Sequence, residues 1–191
     1  MKFSIATIAL FLALSSSASA EGFYLGGIVG QSYSNLCPST DITKYSCART
    51  GDSFGIAGGY NFTQNFGVEV DYDILGSYAA YQQASSASDG AAASFTKVNA
   101  LIVAATGNYE VIKNISLIGK LGVAGFSISQ PTSSTTNTAS NTNIVYGLGL
   151  QFDFSKSVAA RAIWENFGSI GDATTSTSPM SLISFALIYK Y

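Results

Sequence analysis

The sequence of 191 residues contains no histidine, two cysteines, three prolines and one tryptophan. Charge is scarce: Asp, Glu, Lys and Arg make up 10% of the chain, against roughly 25% in an average soluble protein. Each shortage excludes something. Without histidine there is no His-based catalytic triad, no imidazole general base and no imidazole metal ligand. With 9 basic and 11 acidic residues the formal net charge is −2, so the basic footprint of a nucleic-acid binder is missing. Phosphate-binding loops, metal-ligand spacings and nucleophile elbows are absent too, so neither a metal nor a cofactor is expected. Past the N-terminal segment, the best apolar run covers residues 100–106, far short of the roughly 20 residues a spanning helix needs.

What is abundant is apolar. Hydrophobic residues are 47% of the chain, aromatics 13%, and there are 19 glycines. That composition is incompatible with a disordered chain and suits a membrane. Met1 and Lys2 open the sequence, residues 3–14 follow without charge, and Ala18, Ser19 and Ala20 form a small-residue cleavage pattern. The apolar stretch is too short for a transmembrane anchor. Residues 1–20 are therefore expected to be a signal peptide, and 21–191 the mature domain.

Eight segments of the mature chain read as strands: 22–32, 53–62, 66–75, 95–109, 115–127, 143–152, 157–167 and 180–191. Their hydrophobic period is nearer 2 than 3.6. In the third, Val68, Val70, Tyr72 and Ile74 alternate with Glu69, Asp71 and Asp73. In the seventh, Ala160, Ala162 and Trp164 oppose Arg161 and Glu165, and in the fifth Leu117, Leu121 and Val123 oppose Lys120. Alternation alone does not say which face is inside, and a soluble barrel would turn the apolar face inward.

Two features favour the membrane. Connections alternate between short (63–65, 110–114, 153–156) and long (33–52, 76–94, 128–142, 168–179), as periplasmic turns and extracellular loops do in transmembrane barrels. Aromatics such as Phe23, Tyr60, Phe66, Tyr109, Phe152 and Tyr189 gather beside the short turns, like an interfacial girdle. With no second spanning helix, only a closed barrel satisfies every backbone group inside a bilayer. The expected fold is all-β: an eight-stranded antiparallel up-and-down transmembrane β-barrel with short periplasmic turns and long extracellular loops.

The chain resembles the OmpA-type eight-stranded outer-membrane barrel over nearly all of its mature length. The resemblance rests on Tyr24-Leu25-Gly26-Gly27, on Gly58 to Asn61 followed by Phe66 to Asp73, on Lys120-Leu121-Gly122, and on Ala160-Arg161 with Asn166 to Ala173. The chain departs from the family in that the sequence ends at Tyr191, so the transmembrane domain alone is expected, without the peptidoglycan-binding domain of many members. Where the family often carries an inward Lys on the fourth strand, this chain has Thr106. The resemblance also implies that Phe185, Leu187, Tyr189 and Tyr191 form a terminal strand recognised by the barrel-assembly machinery.

Turning the apolar faces to lipid leaves Glu69, Asp71, Asp73, Lys120, Gln151, Arg161 and Glu165 pointing inward. A carboxylate cluster could do general acid–base work, but an eight-stranded barrel is only wide enough for its own side chains, and charges away from water must pair. An ion-pair network of Glu69, Asp71, Lys120, Arg161 and Glu165 is expected, with no enzymatic activity. By resemblance, Glu69 and Arg161 match an inward pair that obstructs passage. Cys37 and Cys47, alone in the first long loop, are expected to form a disulfide in an oxidising periplasm.

The functional expectation is a Gram-negative outer-membrane protein of structural, envelope-integrity role. Its partners would be outer-membrane lipid and lipopolysaccharide, with an extracellular ligand for the Ser-, Thr- and Asn-rich loops. The competing expectation is a low-conductance porin-like channel for ions or small solutes.

Overall fold

The computed structural model describes residues 22–34, 45–47, 49–82, 93–131, 136–170 and 178–191. The expected signal peptide and Cys37 lie outside these residues, as do the centres of the four long loops. The described chain is entirely strand and turn. Eight long strands make the barrel: β1 (Gly22–Ser34), β3 (Thr50–Asn61), β4 (Phe66–Gln82), β5 (Ala93–Ile112), β6 (Ile115–Pro131), β7 (Thr136–Asp153), β8 (Val158–Ile170) and β9 (Ser178–Lys190). A short ninth, β2 (Tyr45–Cys47), adds to the upper part of β4 through Cys47 opposite Ala80.

Every pairing is antiparallel, and chain neighbours pair throughout the barrel. The sheet closes between β1 and β9, where Leu25 faces Tyr189 and Val29 faces Phe185. The seam is completed by Tyr191, whose backbone N–H donates to the Phe23 carbonyl at 3.0 Å. Closure removes both edges, so no ladder is left to seek hydrogen bonds in hydrocarbon.

The pleat separates two populations. Val70, Tyr72, Leu121, Val123, Phe185 and Leu187 face outward and are exposed, and every charged residue singled out above faces inward. The lipid-side assignment of the apolar faces therefore holds. Aromatics ring the short-turn end, where Phe23 packs on Tyr60 at 4.7 Å, Phe152 on Phe154 at 5.0 Å and Tyr189 on Tyr191 at 5.0 Å between ring centroids.

The strands outrun the boundaries expected from the sequence. The loop expected at 128–142 is largely ladder: β6 continues to Pro131 and β7 begins at Thr136, with Ser127 opposite Ser140 and Ser129 opposite Thr138. Likewise β4 continues to Gln82 and β5 begins at Ala93. These extensions are rich in Ser, Thr, Asn and Ala and lack the clear apolar alternation of the segments below them. Backbone hydrogen bonds carry the register past the apolar band. In β4 the extension follows a bulge between Ile74 and Ser77, where Gly76 takes φ of 93°, a conformation that favours glycine. At the opposite end the β5–β6 connection tightens to a turn on Lys113 and Asn114. Asn114 adopts φ of 68°, a region that asparagine enters more readily than most residues.

Candidate functional site in the barrel interior

Three tiers fill the interior, and the strands' register dictates their order. Nearest the short turns is a polar vestibule of about 310 Å³, lined by Asn65, Asn108, Asp153 and Lys190 among others and closed at its inner end by Tyr24, Gln151 and Arg161. Lys190 Nζ lies 2.6 Å from Asp153 Oδ1, and Gln151 Nε2 donates to the same oxygen at 3.0 Å.

The second tier is ionic. Arg161 on β8 reaches across to Glu69 on β4, with 2.5 Å between Nη1 and Oε2. Its Nε also donates to Gln151 Oε1 at 3.3 Å. The Tyr24 hydroxyl donates to the same Glu69 oxygen at 2.6 Å, while the Tyr24 ring lies 5.6 Å under the guanidinium carbon, within cation–π range. Tyr24 can lie flat across the wall because residue 59 is glycine. A Cβ there would come within 2.2 Å of the ring. On the other side of Glu69, Lys120 on β6 places Nζ 3.2 Å from Glu69 Oε1 and 2.8 Å from Glu165 Oε1, and it donates to Asp71 Oδ2. All five residues of the expected network are buried and lie in one connected cluster.

Asp73, also inward and buried, stands apart. Neither of its carboxylate oxygens has a hydrogen-bond partner. Among the described residues, four buried carboxylates (Glu69, Asp71, Asp73 and Glu165) thus face two buried cations, Lys120 and Arg161. The tier is acid-rich and ends on an unpaired acid. Thr106, at the position where the family often has lysine, is buried here with its hydroxyl unpartnered.

The third tier was not legible in the sequence. Above Asp73 the lumen is filled by an apolar cluster that includes Leu75, Val98, Ile102, Phe126, Ile128, Phe167, Met180 and Leu182. Phe126 and Phe167 meet edge-to-face at 5.6 Å. Phe126, Phe167 and Leu182 are no more than 2% exposed, so water does not reach them. A second apolar group, with Ile28, Ala57 and Ile188, also includes Ala186, the residue paired with Arg161 on the neighbouring strand. The available signal was the run at 100–106, whose two faces are both apolar: one for lipid, the other for this plug.

The interior so arranged can hold charge, donate and accept hydrogen bonds, and exclude water. Among the described residues no group of three or more Cys, Asp or Glu is arranged to hold a metal ion. The terminal-strand residues Phe185, Leu187, Tyr189 and Tyr191 all lie outside this site, exposed on the outer surface. Cys47 lies on β2, and nothing described bears on its pairing with Cys37.

Comparison with known proteins follows the fold. The family model described as OmpA-like transmembrane domain matches residues 18–191. Among solved structures, Neisserial surface protein A superposes with a TM-score of 0.58 at 16% sequence identity, over 89% of this chain and 97% of that one. The outer membrane protein OprG from Pseudomonas aeruginosa gives 0.58 at 12% identity, over 91% and 98%. Ail, the attachment invasion locus protein of Yersinia pestis, solved in complex with the heparin analogue sucrose octasulfate, gives 0.50 at 16% identity, over 88% and 99%. No curated protein matches the sequence.

Proposed function

Since the chain belongs to the OmpA-like transmembrane domain family, we propose that this outer-membrane barrel serves envelope integrity and presents its long loops outside, without conducting and without enzymatic activity. In this reading residues 1–20 are removed as a signal peptide, the terminal strand engages the assembly machinery, and the short turns face the periplasm. The outward apolar band sits among outer-membrane lipids and lipopolysaccharide. The first long loop, tied by Cys37 and Cys47, and the other three await an extracellular ligand.

One observation carries the non-conducting reading: the lumen is closed twice by different chemistry. An ion crossing it would have to break the Glu69–Arg161 pair at 2.5 Å, then shed its hydration against Phe126, Phe167 and Leu182. Moving an ion from water into apolar surroundings costs many kcal/mol, so the apolar tier is a barrier even with the ion pair open. The acid excess of the middle tier favours a second reading, a low-conductance channel that passes cations. Single-channel recording of the protein in planar bilayers decides between them. A flat baseline over long recordings supports the structural role. Reproducible unitary steps with cation selectivity would replace it with the channel.

A further inference from the structure

We propose that Asp73 is a proton-binding site: its carboxyl is held as the neutral acid, and that proton seals the joint between the ionic tier and the apolar plug. Three observations lead there. First, the cations of the lumen are already committed. Arg161 meets Glu69 at 2.5 Å, and Lys120 meets Glu69, Asp71 and Glu165. Neither oxygen of Asp73 has a hydrogen-bond partner, and neither cation pairs with it. The buried titratable groups that share the lumen with it are Glu69 and Asp71 on its own strand, Lys120 on β6, Arg161 and Glu165 on β8, and Tyr24 on β1. Among the described residues β3, β5, β7 and β9 add no buried charge. In the ladders Asp73 faces Gly55 on β3 and Ala100 on β5.

Second, the site is dry. Asp73 is 1% exposed, and both of its carboxyl oxygens are fully buried. The side chain lies over Gly55, in the space that a Cβ there would take. Ala100, its partner on β5, belongs to the apolar plug, and so does Leu75, the next inward residue of β4. With no surface on either oxygen, neither water nor a metal ion can touch them. A proton needs no volume of its own and is the one cation that fits.

Third, charge decides the form. An ionised carboxylate in apolar surroundings without a counter-charge is so costly that the group neutralises instead. The unmet hydroxyl of a neutral acid costs far less. The four acids set against two cations then become three, and the neutral acid belongs with Leu75 and Ala100 rather than with Lys120. The proton comes from water onto a carboxyl oxygen, and no other bond changes. Folding therefore takes up a proton. An unfolded aspartate ionises near about pH 3.9. Above that, the native chain holds one proton more than the unfolded chain, and stability falls as pH rises. Asp73→Asn keeps the shape of the neutral acid and removes this dependence.

The test is infrared spectroscopy of the full chain at neutral pH, in a detergent free of ester groups, joined to urea unfolding between about pH 5 and 7. The carbonyl stretch of a neutral carboxylic acid is expected in wild type, and Asp73→Asn should lose the intensity of one carboxyl group. Over that range the wild-type folding constant should fall about ten-fold more per pH unit than that of Asp73→Asn. Gel migration of unboiled protein confirms that the variant is folded, and Asp73→Leu, matched to the plug, replaces it if asparagine does not fold. Absence of the band from wild type overturns the proposal whether or not a variant folds. So does a band undiminished in the variant, and so do equal pH slopes. Single-channel recording reads none of these signals, so this proposal and the non-conducting reading fail separately.

Discussion

Arg161 and Glu69 stand on strands that are not neighbours in the sheet, yet their side chains meet at 2.5 Å across the lumen. The contact is a strut, not a rung. It ties β8 to β4 independently of the backbone ladders, and its acid oxygen is shared with the Tyr24 hydroxyl of β1. Lys120 then links the same Glu69 to Asp71 and Glu165.

Removing both ends of the strut should cost less than the two single removals added together. Arg161→Ala leaves buried carboxylates short of a cation, at roughly 3–5 kcal/mol. In the Glu69→Ala, Arg161→Ala double variant the loss should be smaller than the sum of the single losses, by about 0.5–3 kcal/mol. Urea unfolding in lipid vesicles, followed by Trp164 fluorescence, measures it. Additive single losses would mean that the two residues do not interact.

Gly122 and Gly119, three residues apart on β6, should respond differently to alanine. At Gly122 a Cβ would fall within 2.2 Å of the Val103 carbonyl oxygen and 2.5 Å of the Ala104 Cα, and backbone cannot yield easily. Gly122→Ala should lose about 1–3 kcal/mol. At Gly119 a Cβ meets nothing within 4 Å, and Gly119→Ala should unfold at the same urea midpoint as wild type.

The seam should depend on the last residues. Leu25 pairs with Tyr189, and the Tyr191 N–H reaches Phe23 O at 3.0 Å. Deleting residues 189–191 shortens the closing ladder and strips two aromatics from the girdle. The truncated protein is expected in the periplasm or degraded, scored by fractionation. Wild-type amounts in the outer membrane would contradict a role for this terminus in assembly.

The proposed Cys37–Cys47 bond should act locally. Reduction is expected to leave the urea midpoint of the barrel unchanged, because β1 and β3 hold the loop's ends and already close it. The loop itself should become more sensitive to trypsin near Lys44 and Arg49. Thiol labelling of unreduced, denatured protein should find no reactive cysteine, and two per chain would exclude the bond.

The interior charges were legible because alternation exposes them: Glu69, Asp71 and Asp73 alternate with Val68, Val70, Tyr72 and Ile74, and a period of 2 has only two faces to assign. The apolar plug was not, for the same reason. On β9, Leu182 and Ile188 face in, and Ile183, Phe185 and Leu187 face out. Leucine in a lumen and leucine against lipid are the same letter. The extended hairpin of β6 and β7 escaped notice because Ser, Thr and Asn at 136–143 bury no apolar face. What pairs them is the register inherited from Ala124 and Val145 below, a property of neighbours that local composition does not record.

The strut between β4 and β8 also has a bearing on time. Glu69 and Arg161 are separated by 92 residues, with three whole strands between β4 and β8, so neither charge can be neutralised by local folding. Glu165, which takes up Lys120, lies on the same distant strand. A sheet that lacks either β4 or β8 leaves one end of the strut without its partner and stays open along one side. Contacts of such separation are slow to close, whichever strand is placed first. The charges balance only once both strands are in the sheet, so ion pairing inside the lumen and closure of the barrel are one event.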